Sequence, residues 1–107
     1  MSITLGNIKA MQKFTFGTGK TWSQVTDDTA VAQTTTVNGL ETTDIVLVQK
    51  PTEQANLSYN AMGLVTSANT LSIIFIANGG NVTPTAEEEW SGVVIKAEEP
   101  TPANANI

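Results

Sequence analysis

The sequence has no cysteine and no histidine, and its five basic residues (Lys9, Lys13, Lys20, Lys50, Lys96) are all lysine. Lack of cysteine excludes a disulfide framework and any thiolate nucleophile or ligand. Lack of histidine removes the commonest general base and the commonest metal ligand together. Lack of arginine leaves nothing to grip a phosphate or carboxylate through two parallel hydrogen bonds. Long apolar runs are missing too: residues 45–48 and 73–77 are the longest, far short of the ~20 residues a bilayer span needs. The first residues show no basic region leading into an apolar run, so no secretory signal is expected and the protein should stay in the cytosol where it is made. The glycosylation-type triplets at Asn56 and Asn81 then carry no meaning. No catalytic residue, cofactor site, metal ligand or small-molecule substrate is expected from this inventory.

A chain of 107 residues suits a single domain with one modest core. The formal net charge of −5 argues against nucleic acid or an anionic membrane as partner, since both call for a basic stripe. Thr, Val, Ile, Asn and Gly are abundant and turn residues recur about every ten positions, the pattern of a sandwich or barrel of short strands. Residues 29–37 alternate small apolar and hydroxyl side chains, as a half-buried strand does. Asn38-Gly39 follows as the best local hairpin signal. Residues 44–50 form the strongest strand, whose consecutive apolar side chains call for cover on both faces. Pro51 ends it. A weaker strand over 57–66, interrupted near Gly63, and a turn at 67–69 lead to a second strong strand over 70–77. There Leu71, Ile73 and Phe75 occupy one face and Ser72, Ile74 and Ile76 the other. Residues 89–97 close the series with Trp90, Val93 and Ile95.

The ends differ. Residues 1–28 read as an N-terminal arm or strands with Ile3, Leu5 and Ile8, residues 29–97 as the sandwich core, and residues 98–107, polar and broken by proline, as a flexible tail.

Three motifs invite chemistry. Gly17, Gly19, Lys20 and Thr21 resemble part of a phosphate-binding loop, but Phe14 stands where its first glycine belongs and no helix follows; a glycine turn with an exposed lysine accounts for them. Glu87, Glu88 and Glu89 are neighbours on an extended chain and cannot pair across a cleft, so a solvated turn is expected, with a weak divalent-cation site as the lesser reading. Trp22 and Trp90 can form a sugar-stacking platform or anchor a core or interface.

From Thr34 to Thr85 the order is Thr-Thr-Thr-Val-Asn-Gly-Leu (34–40), Thr-Asp-Ile-Val-Leu-Val-Gln-Lys-Pro (43–51), Asn-Leu-Ser-Tyr-Asn-Ala (56–61), Val-Thr-Ser-Ala-Asn-Thr-Leu-Ser-Ile-Ile-Phe-Ile-Ala-Asn (65–78) and Val-Thr-Pro-Thr (82–85). Over about half the chain this resembles small structural proteins of tailed bacteriophages, above all head decoration (cement) proteins. The resemblance implies an all-β, jelly-roll-like sandwich that packs as a trimer or dimer, the homotrimer being favoured, and binding to the major capsid protein on the outer surface of the virion. A tail tip, fibre or baseplate component is the alternative within that family, and a carbohydrate-binding module the alternative outside it. Ile3, Leu5, Ile8, Trp22, Val46, Val48, Ile74, Ile76 and Trp90 are the candidate interface residues.

Overall fold

Alternating β-branched and aromatic residues, broken at intervals by Gly and Asn, govern where this chain becomes regular. The computed structural model describes residues 8–51 and 59–97, and all regular structure among them is strand. In chain order these are β1 (Ile8–Phe16), β2 (Ala30–Thr36), β3 (Ile45–Gln49), β4 (Tyr59–Ser67), β5 (Thr70–Ala77) and β6 (Trp90–Ala97). They form two antiparallel three-stranded sheets, β1-β6-β3 and β2-β5-β4. Each is named here after its central strand, the β6 sheet and the β5 sheet. The fold is all-β and sandwich-like, as expected.

The core lies between the sheets because one parity of each strand is apolar. Leu71, Ile73 and Phe75 of β5 are fully buried, as are Trp90 of β6 and Tyr59 of β4. Trp22 and Val25, from the connection between β1 and β2, join them. The aromatic rings touch in series: Phe16 to Trp90 at 5.7 Å, Trp90 to Trp22 at 5.8 Å, Trp22 to Phe75 at 5.2 Å and Phe75 to Tyr59 at 5.8 Å. Tilted and edge-on contacts of this kind add about 0.5–1.5 kcal/mol per pair to the burial itself.

Four expectations need correction. Asn38-Gly39 does turn the chain, with Gly39 at φ +97°, but β2 and β3 lie in different sheets, so the turn is not a hairpin. Its backbone bonds instead to the turn between β4 and β5: Val37 N–H donates to the Asn69 carbonyl at 3.0 Å, and Gly39 N–H to Asn69 Oδ1 at 2.7 Å. The hairpin is β4–β5, closed through Ala68 and Asn69, the latter at φ +60°. Secondly, β4 runs unbroken through Gly63. A Cβ there would stand 2.9 Å from Val48 Cγ1 on the facing sheet, so glycine admits the close approach of the layers rather than ending a strand. Thirdly, over residues 8–28 the arm gives way to the strand reading offered beside it: β1 pairs along β6, and Phe16, Trp22 and Val25 sit in the core. Fourthly, Val46 is buried and Val48 half-buried on the inner side of β3, so both contribute to the core of their own chain. Ile3, Leu5 and the tail over 98–107 lie outside the described residues.

Loops are held by side chains that imitate backbone. Gln33 on β2 accepts from Ser23 N–H at 2.7 Å and donates to its carbonyl at 3.0 Å, as an adjacent strand would. Asp27 Oδ1 accepts from the N–H groups of Gly80 (2.9 Å) and Gly79 (3.0 Å). These bonds, Gly80 first, hold its carboxyl below the usual aspartate range.

At the start of β3 the Lys96 ammonium donates to Asp44 Oδ2 at 2.6 Å and to the Gly39 carbonyl at 2.8 Å. The same Asp44 oxygen accepts from Glu41 N–H at 2.9 Å. Its hydrogen bond to Asp44 holds Lys96 above the ordinary lysine range. Asp44→Ala is expected to lower unfolding free energy by about 2 kcal/mol at neutral pH, through loss of charge-assisted bonds at a nearly buried carboxylate. A raised lysine stabilises fully below its unfolded value near ~10.4. That contribution fades only as pH climbs through the folded value, so urea titrations should show the deficit unchanged from pH 7 to 9 and shrinking in stronger alkali.

Candidate functional site

The same parity that fills the core leaves a second set of apolar side chains pointing outward. On the β6 sheet the register aligns Met11, Ile95 and Ile45 in one row across β1, β6 and β3, and Lys13, Val93 and Leu47 in the next. Ile45 and Leu47 are 61% and 62% exposed. A polar row of Thr15, Ser91 and Gln49 follows. Beside the last two rows lies an open depression of about 560 Å³, lined by Lys13, Leu47, Gln49, Ser91 and Val93 and also by Val48 and Gly92 of the opposite parity. No acidic residue occupies the rows, and Lys13 has no ion-pair partner among the described residues.

The outer side of the β5 sheet carries Ala30, Ile76 and Asn60 in one row, Ala32, Ile74 and Met62 in the next, and Thr34, Ser72 and Leu64 in the third. Met62, Leu64 and Ile76 are exposed, and none of the nine residues is charged. Side-chain size across this face is uneven. The β2 edge carries the small side chains Ala30, Ala32 and Thr34, while Met62 and Leu64 of β4 and Ile76 of β5 stand exposed and Ser72 is buried between them.

Of the candidate interface residues, Ile74 and Ile76 lie on this outer face, Ile74 half-buried and Ile76 exposed. Ile8 is half-buried at the start of β1, opposite Ala97. Trp22 and Trp90 are 2% and 0% exposed, which removes them both as partner contacts and as a sugar-stacking platform: a ring must show its face to stack. Sequence reasoning missed Met11, Ile45, Leu47, Met62 and Leu64. The apolar run in β3 announced a two-faced strand but not its parity, because both parities are equally greasy.

The motif residues have structural employment. Gly17 and Gly19 take φ values of +99° and +81° in a turn where Lys20 N–H donates to the Gly17 carbonyl at 2.9 Å. Lys20 is half-buried rather than exposed, its ammonium 5.4 Å from the Trp22 ring centre. Glu87 and Glu89 are exposed, but Glu88 is only partly so and its Oε2 is shielded from solvent, which corrects the expectation of a wholly solvated run. Among the described residues Oε2 has no hydrogen-bond partner, and neither have the Tyr59 hydroxyl and the indole N–H groups of Trp22 and Trp90. Burial, with the Glu88 charge adding to it, pushes the Tyr59 phenol up to about 12, so it stays protonated at neutral pH. Among the described residues no three Asp or Glu side chains cluster closely enough to hold a metal ion.

What these groups can do is exclude water over apolar rows. In comparisons with known proteins, no family model, no curated protein and no solved structure matches this chain.

Proposed function

We propose that this chain is a structural virion protein of the head-decoration kind, which binds the outside of an icosahedral phage shell and stabilises it. The observation that carries the reading is the pair of apolar rows on the outer side of the β6 sheet, Met11–Ile95–Ile45 and Lys13–Val93–Leu47. Such rows are unneeded by a solitary soluble domain, and they suit a protein whose work is to lie against another. Lys13, the one charge in them, favours an acidic rim on the capsid side. Many copies with modest contacts hold a lattice firmly.

The strand pairing supports a jelly-roll-like arrangement. A jelly roll winds an antiparallel ribbon so that early strands meet late ones across two sheets. Here β1 pairs with β6 and β2 with β5, first with last and second with second-last as in a rolled ribbon, while β3 and β4 lie in opposite sheets. The likeness over residues 34–85 to tailed-phage structural proteins points the same way.

The test is co-sedimentation of purified protein with heads, lacking it, from the phage whose genome encodes it. Saturable binding of hundreds of copies per particle, lost in Leu47→Glu, is expected. A handful of copies would move the protein to the tail, and no binding at all would end the reading.

A further inference from the structure

We infer that the outer face of the β5 sheet is the surface through which two copies of this chain pair about a two-fold axis running along the strands. The inference rests on the reading of the outer faces as contact surfaces and names the occupant of the second one. Three observations select a second copy.

The first is charge. Each chain carries a net −5, yet none of the nine residues in the three rows is charged. A self-contact here sets no like charges opposite each other. The β6 sheet would set Lys13 near its own copy, so it is the worse surface for self-pairing.

The second is shape. A two-fold axis along the strands, lying between facing sheets, reverses the strand order. It brings the β2 edge of one copy over the β4 edge of the other. The shelf of Ala30, Ala32 and Thr34 then receives the ridge of Met62 and Leu64, twice over, which is the self-complementarity an isologous contact requires. An axis across the strands would set shelf on shelf and ridge on ridge.

The third is area. Three strands span about 14 Å, and the seven residues of β2, the shortest of this sheet, run about 23 Å, a footprint of about 320 Å². The five residues of β3 limit the β6 face to about 240 Å² on the same spacing. The larger face is still below the ~800 Å² per partner of a standard stable complex. A micromolar, reversible pair is therefore expected, one that forms fully where a shell concentrates the protein. The resemblance left trimer and dimer open with the trimer favoured; a two-fold contact gives the dimer.

Sedimentation equilibrium of the full chain should show a monomer–dimer equilibrium with a dissociation constant of tens of micromolar, tightened by added salt because screening relieves repulsion between acidic copies. Ala32→Lys and Met62→Glu should each weaken pairing at least tenfold while keeping wild-type circular dichroism. Mixed together they should recover a heterodimer, since the two positions face each other only under the proposed axis. Both variants should still bind heads through the β6 face. A wild type that stays monomeric at several hundred micromolar, a trimer, pairing weakened by salt, or failure of the mixture to recover would each overturn the inference. Lack of head binding by a protein that does dimerise would sink the decoration reading and leave this one standing.

Discussion

Val46→Asp will fail to fold, while Leu47→Asp, one residue along, will fold as the wild type does. Val46 is 6% exposed and faces the β5 sheet, where a Cβ on Gly63 would lie 3.6 Å from its Cγ1. A carboxylate placed there enters the hydrophobic core, and burying a charge without a well-placed partner costs about 3–5 kcal/mol beyond the lost packing. A domain of this size has about 5–15 kcal/mol in all. Leu47 points outward on the same strand, where substitutions away from special features change stability by about 0.5 kcal/mol or less. Circular dichroism and urea titration of the two variants measure the contrast directly. Equal stability would mean that β3 sits in the opposite register, and both faces described above would have to be reassigned.

Gly17→Ala should cost about 3 kcal/mol and Gly19→Ala about 1 kcal/mol, although the two glycines share one turn. Both have positive φ, which penalises any L side chain by about 1–2 kcal/mol. Only at Gly17 is the space also taken: a Cβ would stand 2.7 Å from the Glu88 carbonyl oxygen and 2.8 Å from Trp90 Cδ1, whereas around Gly19 nothing lies within 4 Å. The carbonyl belongs to backbone entering β6, and the indole is wedged among Phe16, Trp22 and Phe75, so neither yields easily. Thermal melts of the two variants should differ by several degrees for a chain of this length. Coincident melts would show that the β1 end does not press against β6 as described.

The parts of the fold visible beforehand are those where one parity is unambiguous. In residues 70–77 the alternation assigned Leu71, Ile73 and Phe75 to the core and Ile74 and Ile76 to the other side, and the structure places them so. In residues 45–48 both parities are apolar, and only Gly63 on the opposing strand decides which faces in. Asn38-Gly39 carried a sound turn signal, but a turn states that the chain reverses, not which sheet receives it. Gln33 and Glu88 show a third kind of opacity. The glutamate run suggested solvent, yet Glu88 Oε2 is shielded from it, and Gln33 is tied to the backbone of Ser23 ten residues away; no local pattern announces either.

The strand order has a consequence for how the protein is made. Only β4 and β5 are neighbours both along the chain and within a sheet. Every other ladder joins distant segments, with Ile8 opposite Ala97 as the extreme. Closing such loops precedes any reward from the contacts they enable, which places folding in the millisecond-to-second range of non-local β proteins. The β6 sheet, proposed above to lie on the shell, cannot exist until its central strand, residues 90–97, has left the ribosome, so a nascent chain offers no such surface before that strand emerges.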